Sequence, residues 1–453
     1  MAAKRKKRSR STLKSMNPNA AGIDIGSRFH VVAVPPECDD NPVRSFDSFT
    51  GDLHRLADWM ESCGVKTVAM ESASVYWMPL FSILDARGFE VLLTNARDVK
   101  HVPGRKSDVN DAQWLQRLHE FGLVRGSFHP AQGFDTLRAY LRQRERLVEY
   151  AASHTQHMQK ALMLMNLQLH HVVADITGKT GLAILRAIVQ GERDPYKLAE
   201  LRDIRCRNSV QTIAAALEGS YSDDQVLALE QSLSLFDTYQ LKISQCDQHI
   251  EAVLIKLRQA DSEIKQPLKK RRRKGRQSNE PKFDVRAAVH AVCGVDLTEV
   301  HGVGPYLALR ILGECGTDLS KWPTAKHFTS WLGLAPGTKI SGGKILSSKT
   351  RRTDNRVASL LRLAAMTVGK TDSALGAFYR RLSSRVGKAK AITATARKIA
   401  VLVYNLLRYG KSYHDPGAQY YEEQHRARVI RNLKRRAQSL GFAVEPEAAE
   451  GVS

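Results

Sequence analysis

Ala21-Gly22-Ile23-Asp24-Ile25-Gly26 is an apolar run with one carboxylate set inside it. It reads as a strand, and carboxylates are rarely buried unless paired or bound to a cation. Working outward, Ala21–Ile25 and His30–Val34 flank Gly26-Ser27-Arg28, a tight hairpin turn. Val43–Phe49 reads as a third strand. Leu53–Ser62 reads as a helix with Leu53, Leu56 and Met60 on one face, and Val65–Met70 as a fourth strand followed by Glu71. Tyr76–Ala86 is helical and closed by Gly88, and Glu90–Thr94 is a fifth strand. After Val102-Pro103-Gly104, Ser107 can N-cap a helix that carries Asp108 and Asp111, three apart and so on one side. Three strands, then strand–helix–strand–helix, predict a mixed sheet flanked by helices. Asp24, Glu71, Asp108 and Asp111 are the candidate catalytic and metal-binding residues. Four converging carboxylates suit Mg²⁺ or Mn²⁺, hard ions that prefer oxygen ligands. Two such ions clamp the attacking and leaving oxygens of phosphoryl transfer. The plainer alternative is a set of surface acids, since helix N-termini favour Asp in any case.

The 453 residues suggest roughly three domains at about 150 residues each. A net charge of +23 favours polyanionic partners, nucleic acid first, over a merely solvated basic surface. Cys38, Cys63, Cys206, Cys246, Cys293 and Cys315 are scattered without a C-x-x-C pair, which argues against zinc and for reduced thiols in the cytoplasm. No apolar run approaches the roughly 18 residues of a membrane span, and the basic N-terminus lacks the apolar core of a secretory signal.

Residues 1–20 read as a basic disordered arm and residues 21–134 as the sheet domain. Residues 135–264 read as long helices with few breakers. Leu137, Leu141, Leu147, Met158 and Leu162 recur at helical spacing, as do Leu229, Leu233, Phe236, Ile243, Ile250 and Leu254. These two runs suit a coiled-coil hairpin, a dimer interface or an ordinary bundle core. Residues 265–284 form a cationic linker, 285–412 a mostly helical domain, and 413–453 a basic helix with a disordered end. Gly302-Val303-Gly304-Pro305 before Leu307–Leu312 looks like a helix-hairpin-helix turn, whose exposed backbone N–H groups suit a phosphate. Ser341-Gly342-Gly343-Lys344 reads first as a hairpin turn. It suits catalysis if the Ser341 hydroxyl is activated and nearby cations neutralise a phosphate.

Together these motifs resemble the insertion-sequence transposases that join a RuvC-like, ribonuclease-H-like DEDD domain to a serine-bearing transposase domain. This is the insertion sequence one-ten family, the bridge-RNA-guided recombinases. The resemblance is carried by Gly22–Gly26, Met70-Glu71-Ser72 with Val75-Tyr76-Trp77, and Pro103-Gly104-Arg105-Lys106-Ser107-Asp108 through Asp111-Ala112. Gly302–Pro305, Trp331-Leu332-Gly333-Leu334-Ala335-Pro336 and Ser341–Lys344 complete it. The set is collinear from about residue 21 to residue 405. It implies metal on Asp24, Glu71, Asp108 and Asp111, and a covalent serine–DNA link at Ser341. It also implies donor and target DNA, a non-coding guide RNA, and dimers assembling to tetramers in which one subunit's serine completes another's acidic site. Arg105, Lys106, Gly302, Gly304, Gly342, Gly343 and Lys344 are the candidate nucleic-acid contacts, and the expected location is the cytoplasm, at the nucleoid during activity. Two departures stand out: Ala73-Ser74 where the family usually has Thr-Gly, and Arg352-Thr353-Asp354-Asn355 where it commonly has Lys-Gly-Asn. The rival reading is a structure-selective, junction-resolvase-like endonuclease that needs the four acids but not Ser341.

Overall fold

The computed structural model describes residues 14–72, 74–95, 108–130, 133–258, 268 and 279–445. Most of the basic arm, Ala73, the loop with Arg105, Lys106 and Ser107, the linker's cationic run and the last tail residues lie outside them. The chain forms two compact units, Met1–His129 and Pro130–Ser453.

The first unit runs β1 (Ala20–Ile25), β2 (Phe29–Ala33), β3 (Val43–Asp47), α1 (Thr50–Ser62), β4 (Thr67–Glu71), α2 (Trp77–Ala86), β5 (Glu90–Thr94) and α3 (Asp108–Glu120). The sheet order is β3-β2-β1-β4-β5. β1–β2 and β2–β3 are antiparallel, whereas β1–β4 and β4–β5 are parallel, so the expected mixed sheet is present. Side chains alternate along each strand. Ala21, Ile23, Ile25, Val68 and Met70 therefore share one face and bury Leu53, Leu56 and Met60 of α1 and Leu80 and Leu84 of α2. Fully burying each of the larger side chains stabilises by about 1.5–3 kcal/mol. On the opposite face Val31 and Ala33 pack against Ala112 of α3. Two boundaries differ from expectation. β3 stops at Asp47, because the Ser48 amide donates to the Arg28 carbonyl and the Phe49 carbonyl already accepts from Leu53 to open α1. Glu71 is the last residue of β4, paired with Thr94, and does not merely follow the strand.

In the second unit, α4 (Phe134–Leu164) and α9 (Asp223–Leu257) pack along their length. Tyr140 stacks on His249, Arg144 pairs with Asp247, and Tyr150 meets Tyr239, so the helices are antiparallel. The two apolar runs thus pair within one chain. The segment between them is not a continuation of long helices. It makes a lobe of short ones, α5 (Leu169–Val172), α6 (Lys179–Val189), α7 (Pro195–Glu200) and α8 (Val210–Ala215). Their Leu185, Ile188, Leu198 and Ile213 share a core with Met158 and Leu162 of α4 and Leu229 of α9. Then come α10 (Val285–Cys293), α11 (Pro305–Cys315), α12 (Ala325–Trp331), β6 (Lys339–Ser341), β7 (Lys344–Ser347), α13 (Arg356–Val368), α14 (Ala374–Val386), α15 (Lys388–Tyr409) and α16 (Gly417–Ser439). α11 lies on α4. Gly313 leaves no room for a side chain against Leu141, and Arg142 makes a two-pronged bond to Glu314 at 3.0 and 2.9 Å. No described helix is long and apolar enough to cross a membrane.

Candidate catalytic and nucleic-acid site

β1 and β4 run parallel with Ile23 opposite Met70, so one step further puts Asp24 beside Glu71 at the ends of the two central strands. Neighbouring strands lie about 4.8 Å apart. Because Ile23 and Met70 face α1 and α2, Asp24 and Glu71 turn to the other face, the one crossed by α3. Both are half-buried.

Gly22 sets the crossing. A Cβ there would stand 2.5 Å from the Ala112 carbonyl oxygen and 2.8 Å from Gln116 Cα, so the α3 backbone rests directly on β1. Gln116 Nε2 donates to the Ala20 carbonyl at 3.2 Å, further back along the strand. From Gly22 forward to Asp24 is about 6.6 Å of strand. From Ala112 back to Asp108 is about 6 Å of helix. The first turn of α3 is therefore level with Asp24, with Asp111 half-buried and Asp108 exposed. The sheet thus brings Asp24, Glu71 and the Asp108–Asp111 turn to one face and one level. Among the described residues, no three His, Cys, Asp or Glu side chains are drawn together closely enough to cage a metal. The donor set itself, all carboxylate oxygen, has the chemistry that Mg²⁺ or Mn²⁺ takes.

Sequence reading missed the support behind these acids. Thr67 Oγ1 lies 2.8 Å from His119 Nε2 and also donates to the Glu90 carbonyl at 3.1 Å. A hydroxyl has one proton to give, so His119 Nε2–H is the donor in that pair. Burial lowers the His119 pKa, with the Glu90 charge opposing, and keeps the imidazole neutral. The bond ties the last turn of α3 to β4. The available signal was Gly22, since an isolated glycine in a strand marks a close backbone approach.

Ser341 lies in the second unit, at the end of β6, opposite Lys344 across the hairpin. Gly342 and Gly343 have φ of +54° and +75°, the paired positive angles of a type I′ turn. Ser341, Gly342, Gly343 and Lys344 are all exposed. So are Ile340, Ile345 and Leu346, at 64%, 67% and 68%. The hairpin projects from a firm base, where Leu332 and Leu334 are buried and the Trp331 ring packs on Trp322 and Phe328. Lys349, Arg351 and Arg352 are exposed on the return strand side. At the glycine turn, Gly304 caps α11 ahead of Pro305. Gly302, with φ +89°, fits tightly against Ala364 and Val368 of α13, so a packing demand also fixes it as glycine.

Two family models match the chain. One, of the DEDD IS110 type and described as a transposase, covers residues 21–166, and so all four acids. The other, described as Transposase IS116/IS110/IS902 family, covers residues 296–380, and so the glycine turn and Ser341. Together they take in a little over half of the chain. The chain is also 33% identical over 141 residues to the 43.6 kDa protein of insertion element IS110 from Streptomyces coelicolor, across 30% of this chain and 34% of that protein. It is 34% identical over 80 residues to a mini-circle protein of the element IS117 from the same organism, across 18% of this chain and 19% of that protein. The matched segments span about a third and a fifth of those relatives.

Proposed function

We propose that this chain, which belongs to the IS110 family of transposases, cuts and rejoins DNA during the movement of an insertion sequence. The observation that carries the reading is the shared face of Asp24, Glu71 and the Asp108–Asp111 turn, levelled by Gly22 on the sheet order β3-β2-β1-β4-β5 of a RuvC-like domain. Those four carboxylates would hold divalent cation, Mg²⁺ or Mn²⁺, which when bound neutralises phosphate charge and favours the ionised hydroxyl. Ser341, presented on an exposed turn, attacks phosphorus. One Ser–O–P bond forms, one bridging P–O bond breaks, and the serine proton leaves with the departing sugar hydroxyl. A second strand's hydroxyl then attacks the phosphoserine and returns the serine. Lys344, Lys349 and Arg351 neutralise the transferring phosphate, Gly342 and Gly343 let the backbone approach it, and the α11 N-terminus at Gly304 takes a neighbouring phosphate. Arg105, Lys106 and Gly302 extend these contacts. The acids and the serine belong to separate units, which supports a composite site closed between subunits of a dimer or tetramer. The +23 charge supports binding of a guide RNA beside donor and target DNA.

Ser341→Ala tests this directly. The expected result is loss of strand exchange and of any covalent protein–DNA species, with metal-dependent DNA binding kept. Full strand exchange without the serine would end the serine reading, and hydrolysed ends alone would give the site to the endonuclease reading.

A further inference from the structure

A cavity of about 540 Å³ opens among α14, α15 and the start of α16. Its α14 wall, Ala374, Leu375 and Phe378, lies at the end of the second matched segment and the rest of its lining lies beyond it. That size is within the ~300–1,000 Å³ of small-ligand sites. Its walls are apolar and aromatic, including Leu375, Phe378, Tyr413 and Tyr421, and two cations, Arg397 and Lys398, join the lining. The Lys398 ammonium sits 4.6 Å from the Phe378 ring centroid. Its pKa is lowered, by desolvation first and then by the charges of Arg428 and Arg397. Arg381, Arg385 and Arg428 also surround Tyr421 and His425. Beside them Glu422 is already paired with Arg381 at 3.2 Å, and Asp415 accepts from the Ala374 amide at 3.1 Å and the Tyr413 hydroxyl at 3.3 Å. Arg381 Nη1 is buried without a hydrogen-bond partner. Five cations from three helices thus lie in or beside one aromatic cavity, against two acids that are both already engaged, Glu422 and Asp415, so the complementary occupant is flat and apolar at one end and anionic at the other. Beyond the cavity, α16 continues with Arg431, Lys434, Arg435 and Arg436 and buries no residue.

We propose that this cavity takes one unpaired nucleotide of a nucleic-acid strand, the base between the aromatic walls and the phosphate on Arg397 and Lys398, with the next phosphates along the cations of α16. Aromatic walls with an adjoining cationic track are the chemistry that holds single strands. This site rests on the reading of the chain as a nucleic-acid enzyme.

The test uses the full-length protein and three fluorescent 15-nucleotide probes: oligothymidylate, its ribose counterpart oligouridylate, and an abasic strand with the same phosphates. Wild type should bind oligothymidylate or oligouridylate about tenfold tighter than the abasic strand. The preference between the first two reads the sugar once oligodeoxyuridylate, which differs from oligouridylate only at the 2′ position, is run beside them. Ala394→Phe, which puts a ring into the cavity, should erase that tenfold while leaving abasic binding unchanged. Arg397→Gln with Lys398→Gln should weaken all three and make the salt dependence shallower by about 1.4 in log–log slope. Circular dichroism melting checks that each variant is folded. Unchanged base preference in folded Ala394→Phe overturns the inference, as does preferential binding of the cavity region to anionic phospholipid vesicles. Failure of wild type to bind any strand would instead overturn the nucleic-acid reading beneath it.

Discussion

Replacing Gly22 by Ala should push α3 off β1. The new methyl would lie 2.5 Å from the Ala112 carbonyl oxygen and 2.8 Å from Gln116 Cα, both backbone atoms that no rotamer change can move. Relaxed carbon contacts need about 3.5 Å or more, so the helix must retreat by about 1 Å. Overpacking of this kind costs about 1–3 kcal/mol. The retreat also strains the 3.2 Å bond from Gln116 to the Ala20 carbonyl and the 2.8 Å pair of Thr67 with His119. At the other end of α3 it carries the Asp108–Asp111 turn away from Asp24. Displacements of that order in a reacting centre cost about a hundredfold in rate. Hydrogen–deuterium exchange of the full-length protein should show β1 and α3 amides opening roughly 5- to 150-fold faster, with metal-dependent strand cleavage down by about two orders of magnitude. Gly51→Ala is the control. It sits in the first turn of α1 with only Arg55 Nη1 nearby, at 3.9 Å, and should be neutral or stabilising by up to about 1 kcal/mol. If Gly22→Ala exchanges and cleaves like wild type, the close approach does not set the level of the acids.

Other outcomes follow from the same geometry. His30 and His119 are buried, and desolvation holds both pKa values below 6.5. The unfolded chain therefore binds more protons as pH falls below about 6.5, and each site should remove up to about 1.4 kcal/mol of stability per pH unit until its folded pKa is reached. Above 6.5 stability should be flat, and His30→Leu should lessen the loss in urea midpoint between pH 7.5 and pH 5.5. Arg144 and Asp247 are 2% and 4% exposed and pair at 2.5 Å. Arg144→Met should cost about 3–5 kcal/mol by leaving a buried charge, while Arg144→Met with Asp247→Leu should cost much less, read by chemical denaturation of the double-mutant cycle. Gly343→Ala meets no neighbour, so its penalty is the positive φ alone, about 1–2 kcal/mol borne by an exposed hairpin. It should slow formation of the serine–DNA species without lowering the global unfolding midpoint.

The sheet was legible because strand patterning has period two. The alternation that puts Ile23 and Ile25 into the core sends Asp24 to the other face, and the Gly26 turn makes β2 antiparallel. The hairpin at Ser341 was legible from two adjacent glycines. Most of the lobe at 169–215 was not, because three of its four helices have 4 or 6 residues and complete too few turns to display a period. Nor was the cavity under α16, whose walls come from residues between 374 and 421 that only meet once α14 and α15 are packed. The level of Asp108 with Asp24 needed the Gly22 contact, which the strand pattern contains as a position but not as a distance.

The paired long helices also behave mechanically. α4 has 31 residues, about 46 Å of rod, clamped near one end and loaded at the other by the helical lobe. The clamp is the Arg144–Asp247 pair, with Tyr306 of α11 against the guanidinium. One residue further, Glu145 holds Arg310 of α11 and Arg356 of α13. From Arg144 to Leu162 is about 27 Å, so a tilt of about 10° at the clamp swings the lobe by about 5 Å. The lever works in reverse as well. Any load on the lobe arrives, geared down, at α11 and at α13, the helix that follows the projecting hairpin of Ser341.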